Sequence, residues 1–354
     1  MSLLFQNTSD KMVNIAKEVY TKHFDLDPRL NDLYDERRKM LMYEDILYNL
    51  GYLDTAMSLN DDHIFPEYAR WIYRLLYYLM KDLNKETIKG QMIQHFDILN
   101  DVLSGRLPAD EAKTARMHIR NAISAIEKEA GSPDLQERIL SGNYLEIKEN
   151  YIKQLLAGNT RGALRIIEEA AKSGIRLEDI YIEILQKVMH EVGDLWHRQI
   201  ITIDKEHYCT STTQMALAQF YSAIFSKPRK GLKIITCSVG SELHEMGIRM
   251  VSDLFEYNGW DSIYLGAGVP KEALLHAIKE HKPNMVGLSV TMPQHLPLCL
   301  EYVTAIREAY KDVKIAVGGR AFETTDRLWE KWDVDVYKEN AELLVDWATK
   351  NISA

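Results

Sequence analysis

The stretch LKIITCSVGSELHEMGIRMVSDLFEYNG, residues 232–259, decides the fold. It opens with a short apolar run, LKIITCSV (232–239), turns through a loop, and continues with Ile248, Val251, Leu254 and Phe255 at helical spacing. The pattern then recurs. DSIYLGA (261–267), NMVGLSVTM (284–292), VKIAVGG (313–319) and a weaker VDVY (334–337) are further short apolar runs, each followed by a segment with helical period. Strands alternating with helices at this spacing predict βαβ units and a parallel sheet covered on both faces.

Five such strands predict an α/β domain over 229–354, a flavodoxin-like (Rossmann-like) five-stranded parallel sheet. In that architecture a ligand enters a crevice outside the carboxyl ends of the strands, which here are the loops SVGSELHEMG, LGAGVP, SVTMPQH and VGGRAF. The chain is therefore multidomain. Upstream, residues 139–228 carry four helical segments with short connections, which together suit an antiparallel four-helix bundle. They are YLEIKENYIKQLLAG, TRGALRIIEEAAKSG with a stop at Gly174, LEDIYIEILQKVMHEVGDLWHRQ, and IDKEHYCTSTTQMALAQFYSAIF. AGSPDLQER (130–138) reads as a loop and domain boundary.

Residues 1–130 read as an all-α N-terminal domain whose role the sequence leaves open. YARWIYRLLYYLMKDL places Trp71, Leu75, Leu76 and Leu79 on one helical face, and the many aromatic residues read as helix-packing groups. Pro66 and GRLPADEA punctuate the region.

With 354 residues, 46% hydrophobic and 27% charged, the chain has material for two or three cores. Its net charge of -9, with no basic run longer than RRK or KPRK, argues against a nucleic-acid partner. Cys209, Cys237 and Cys299 match neither a disulfide framework nor a zinc pattern, which fits a reducing cytoplasm. The start, MSLLFQNTSDKM, is apolar over too few residues for a signal peptide, and no later run approaches the roughly 18 apolar residues of a membrane span. Neither export nor insertion is expected.

His244 stands in the first strand-to-helix loop, flanked by Glu242 and Gly247. An imidazole serves a metal best when its other nitrogen is held by a carboxylate, and Glu242 is close enough in sequence to do this. Gly247 leaves room for a bulky ligand at the first helical turn. No second His or Cys completes a protein-only cage at a usable spacing, so one axial bond to a macrocycle-held metal fits better.

Here the chain resembles the cobalamin-binding domain family, whose pattern is Asp-x-His-x-x-Gly, a Ser-x-Thr/Leu strand end and a Gly-Gly turn. The corresponding strings are ELHEMG (242–247, taking in Leu243), SVT (Ser289 to Thr291) and VGG (Gly318 and Gly319), with GW (259–260) and LGAGVP around Gly266 agreeing as well. The resemblance spans roughly 140–354. It implies base-off cobalamin, with His244 as the lower cobalt ligand and Ser289, Thr291, Gly318 and Gly319 lining the nucleotide tail. Glu242 departs from the usual Asp by one methylene, so its bond to His244 is direct, water-mediated or absent; Glu at this place looks like the photoreceptor branch.

The string LWHRQIITIDKEH (195–207) carries a Trp-His pair ten residues before a Glu-His pair. Taken alone, Trp196 reads as bundle core, since Val188, Val192 and Leu195 run up to it. The whole string resembles light-dependent adenosylcobalamin regulators of the carotenoid-repressor type. That resemblance implies that Trp196 shields the upper axial group, that Glu206 and His207 contact it, and that His197 binds cobalt after photolysis. Residues 1–130 are acidic and lack a recognition helix, so the DNA-binding part of those regulators is missing from the pattern.

The resulting expectation is a non-enzymatic light sensor holding adenosylcobalamin, its signal carried by a protein partner or a change in homo-oligomeric state. Two other readings stand beside it: a corrinoid methyl carrier for a methyltransferase system, and a photoreceptor for a linear tetrapyrrole (bilin), alone or as a second chromophore.

Overall fold

The computed structural model describes residues 9–132 and 140–353; the boundary expected at 130–138 falls largely on 133–139, and most of the N-terminal stretch falls on 1–8, outside the described residues. Packing divides the chain into two units. Among the described residues, one takes in 9–132 with 292–297 and 321–328, and the other 140–291, 298–320 and 329–353.

The first unit is helical: Asp10–Leu26, Leu30–Leu33, Glu36–Leu59, Ile64–Leu79, Lys85–Arg106 and Ala109–Ala130. Side chains of Ser9, Asp35 and Asn84 accept the backbone N–H three residues on, each cap stabilising its helix by about 1 kcal/mol. Pro66 sits in a first turn, where its missing N–H costs no helical bond. Helix Ile64–Leu79 forms where its sequence predicts, yet it buries a different face. Ile64, Phe65, Tyr68, Ala69, Ile72 and Tyr73 are buried, whereas Trp71 and Leu79 are exposed. Apolar residues ring this helix, so spacing alone does not choose which stripe turns inward.

Asp61 is wholly buried and its carboxylate is satisfied by backbone N–H groups, Oδ1 accepting from His63 and Ile64 and Oδ2 from Asp326 at 2.8 Å. His23 Nε2 and His95 Nδ1 lie 2.9 Å apart, joining helices Asp10–Leu26 and Lys85–Arg106. Their ring planes differ by only 16° with centroids 5.1 Å apart, which aligns the two nitrogens edge to edge for one shared proton instead of converging them on a metal.

The second unit begins with the bundle. Helices Leu145–Leu156 and Thr160–Lys172 end at Gly158 and Gly174, both at positive φ, as helix stops require. The third helix runs from Leu177 to His197, with a π-helical segment at Ile180–Gln186, and the fourth spans Ile203–Ala218. The sheet follows, its strands β1 (Lys233–Ser238), β2 (Asp261–Gly266), β3 (Met285–Ser289), β4 (Lys314–Gly318) and β5 (Val336–Tyr337) all parallel in the order β2-β1-β3-β4-β5. Its central strands are buried almost throughout, because helices cover both faces.

One core joins bundle and sheet within this unit: Tyr181, Ile184 and Val188 belong to the same buried cluster as Leu254, Phe255, Trp260 and Ala348. Burying each such side chain fully is worth about 1.5–3 kcal/mol. Register sets the sheet's carboxyl edge. Ser238 pairs with Ser289 and Ser289 with Gly318, so the ends of β1, β3 and β4 stand in one row. No described helix is long and apolar enough to cross a membrane.

Burial lowers the proton affinity of His23 to about 4 and of His95 to about 3, from 6.5. Below pH 6.5 the unfolded chain therefore takes up protons that the folded one refuses, so stability is fully present above that pH and declines as the pH falls toward 4. The urea midpoint of a His95→Leu variant is expected to fall less over this range than that of the parent protein; equal slopes would show that the pair does not set the acid limb.

Candidate functional site: a histidine loop at the strand switch point

The strand order changes direction between β1 and β3, and this is where a doubly wound sheet opens its crevice. The loop after β1 carries His244. Its side chain is 59% exposed, and neighbouring Leu243 is 81% exposed, so the fold leaves an exposed apolar side chain beside an accessible imidazole. Ser238, the last residue of β1, donates its hydroxyl hydrogen to the His244 carbonyl at 3.1 Å, fixing the loop to the strand. Helix Met246–Tyr257 begins two residues later.

Glu242 is buried beneath this loop. Its Oε1 accepts the Thr291 backbone N–H at 2.8 Å, and its Oε2 lies 3.7 Å from His244 Nδ1. The second distance is too long for a direct hydrogen bond, which removes the direct alternative left by the extra methylene. Still, the carboxylate faces Nδ1, which favours the tautomer that leaves Nε2 with a free lone pair. Thr291 thus enters the site through its backbone, as the clasp that holds Glu242 across the switch point.

Around this clasp stand Ser289, nearly buried at the end of β3, and the Gly318–Gly319 turn after β4. Gly319 has φ +93°, and a Cβ there would meet the Val290 carbonyl oxygen at 2.4 Å and Ser289 Oγ at 2.9 Å. Only glycine allows β3 and β4 to end so close together. Gly318 and Gly247 face open space, as access for a large ligand requires, whereas Gly266 (φ +79°) ends β2 with Glu245 Oε2 3.2 Å from where a Cβ would stand. Thr236, on β1, has a buried hydroxyl with no hydrogen-bond partner among the described residues.

The other predicted residues gather around the turn between the third and fourth bundle helices. Trp196 and His197 end one helix, Gln199 reverses the chain at φ +55°, and Glu206 and His207 lie in the first turn and a half of the next. Trp196 is half-buried, unlike Val188 and Val192, which are wholly buried, so it stands at the margin of the bundle core and not within it. Glu206 Oε2 lies 2.6 Å from His207 Nδ1, and its Oε1 accepts the Thr210 hydroxyl at 2.9 Å. His207 itself is 72% exposed.

Four contributors escaped the sequence reading: Ser238, Thr210, Gln199 and the Thr291 amide. Ser238 is visible only once strand register is known. Thr210, four residues after Glu206 on a helix, was within reach of spacing.

Residues 232–345 match the model of a B12 binding domain, and residues 147–221 match a second model of the same description. The HTH-type transcriptional repressor CarH of Myxococcus xanthus is 27% identical over 159 residues, covering 44% of this chain and 52% of that protein. The match thus spans about half the repressor's length. Dimethylamine corrinoid protein 1 of Methanosarcina acetivorans is 26% identical over 180 residues, covering 49% of this chain and 82% of that protein. In structure, the monomethylamine corrinoid protein of Methanosarcina barkeri aligns with a TM-score of 0.53 at 21% identity, over 58% of this chain and 99% of that one, and supports the fold.

The residues present suit a corrinoid. An exposed imidazole has its inner nitrogen facing a buried carboxylate, the exposed Leu243 stands beside it, Gly247 and Gly318 face open space, and β1 carries the orphaned Thr236 hydroxyl. Removing the carboxylate by Glu242→Ala is expected to weaken hydroxocobalamin binding about tenfold or more, as loss of an outer partner of a metal-bound His commonly does. Glu242→Gln, which can still accept the Thr291 N–H, should lose less. Absorbance titration reads both, and unchanged affinity in the Ala variant would remove Glu242 from the site.

Proposed function

We propose that this chain, whose residues 147–221 and 232–345 match B12 binding domain models, is a light sensor that holds adenosylcobalamin. The observation that carries the reading is the grouping of Trp196, His197, Glu206 and His207 around one turn, with Trp196 left half-buried at the bundle margin. Resemblance to the CarH repressor over 159 residues supports it.

In this reading residues 229–354 are the base and 139–228 the cap. When bound, the cofactor supplies a photolabile cobalt–carbon bond. His244 would hold the metal through Nε2, with Glu242 facing its other nitrogen. Trp196 excludes water from the upper face by its flat apolar bulk. The Glu206 carboxylate, oriented by Thr210, accepts hydrogen bonds from ribose hydroxyls, and His207 adds a polar edge. His197, adjacent to Trp196 but turned from it by about 100°, would offer the metal a second nitrogen ligand. A change in the bulk held under Trp196 would shift the cap between two positions, and that shift would be the signal. Its receiver is a protein partner or a second copy of the chain.

A second reading, a corrinoid carrier that passes a methyl group to a methyltransferase, rests on the match to most of a dimethylamine corrinoid protein. A carrier must open its upper face to a partner enzyme, and an indole at that face opposes this. No described feature calls for a bilin.

Illuminating the adenosylcobalamin-loaded protein should change its absorption spectrum within the exposure. His197→Ala should leave that change intact but remove the spectral signature of a second nitrogen ligand afterwards. Identical spectra in dark and light would sink the sensor, and methyl uptake by the reduced corrinoid from a methyl donor would favour the carrier.

A further inference from the structure

Away from the histidine, a buried polar group ties the bundle to the helix that follows His244. The Tyr181 hydroxyl, in the π-helical segment, donates to Asp253 Oδ2 at 3.1 Å. One turn before Asp253, Arg249 donates from Nε and Nη2 to the Tyr221 hydroxyl at 3.0 and 2.7 Å. Tyr221 and Arg249 also flank the Asp253 carboxylate, with Glu256 near it as well. Tyr181 is fully buried and Asp253 nearly so. Apolar packing alone would stabilise this junction without the desolvation cost of a carboxylate and a guanidinium, so the polar group is better suited to geometry than to adhesion.

Both ends of the group lead to the proposed site. Helix Met246–Tyr257, which carries Arg249 and Asp253, starts two residues after His244. The helix containing Tyr181 ends at Trp196 and His197. Between them lies the π-helical segment, whose wider turn changes the direction in which the following residues face relative to a continuous α-helix. With Tyr181 fixed on Asp253, that direction is fixed too.

We infer that Tyr181 and Asp253, braced by Arg249 and Tyr221, are positioning residues that form a latch. It sets how far the helix bearing Trp196 and His197 stands from the helix after His244, and so gates the upper face. The inference rests on the cobalamin reading above.

The test uses the full chain loaded with hydroxocobalamin and cyanide as a small upper-face ligand. Tyr181→Phe deletes one hydroxyl and keeps the ring; Asp253→Asn keeps the shape and removes the charge. Each should admit cyanide about tenfold faster, the rate equivalent of one hydrogen bond, while hydroxocobalamin affinity stays within about threefold. Amide exchange should rise in 187–197 and stay unchanged in 160–172. An unchanged cyanide rate, or exchange rising equally through the whole bundle, overturns the latch. If the parent protein takes up no hydroxocobalamin, the cobalamin reading itself falls, and amide exchange in the ligand-free variants decides the latch alone.

Discussion

The second unit depends on one buried carboxylate that does two things at once. Glu242 accepts the Thr291 amide with one oxygen and faces His244 with the other. A buried carboxylate is costly unless satisfied, and the amide across the switch point is what satisfies it. The loop after β1 and the end of β3 are therefore held to each other, and His244 is presented outward with its inner nitrogen already facing an acceptor. A surface histidine without that support would sample many orientations.

Parallel register makes the clasp feasible. Because Ser238, Ser289 and Gly318 fall in one row, three strand ends deliver their loops to the same place. Gly319 then lets β4 close against Val290 with no side chain in between. Each of these residues is ordinary by itself. The row makes them a site, and it exists only when the hydrophobic alternation of five separate segments has been paired.

The bundle contributes differently. Its core is built from wholly buried residues such as Ile184, Val188 and Val192, and the helix that supplies them runs on past the core to Trp196 and His197. The π-helical segment and the Tyr181–Asp253 bond lie at the other end of the same helix, so packing, direction and the proposed capping residues share one rigid element.

The sequence by itself determined the element types and the sheet. Apolar runs of strand length with helical segments after them have few other ways to bury their surface, and glycines such as Gly174 and Gly319 mark positions where only positive φ serves. It also singled out His244 and Glu242 in the first strand-to-helix loop, and the Trp196–His197 string by its resemblance to known cobalamin regulators. What tertiary structure decided was every question of facing. Helix Ile64–Leu79 is apolar on more than one side, and its neighbours chose Tyr68 and Tyr73 over Trp71 and Leu79. Sequence left the Glu242–His244 bond as direct, water-mediated or absent, and in the fold the Thr291 amide takes one carboxylate oxygen while the other stands 3.7 Å from the imidazole. Spacing along a chain fixes which residues can share a face, but a contact between residues far apart in sequence is set by strand register and helix packing, which no local pattern contains.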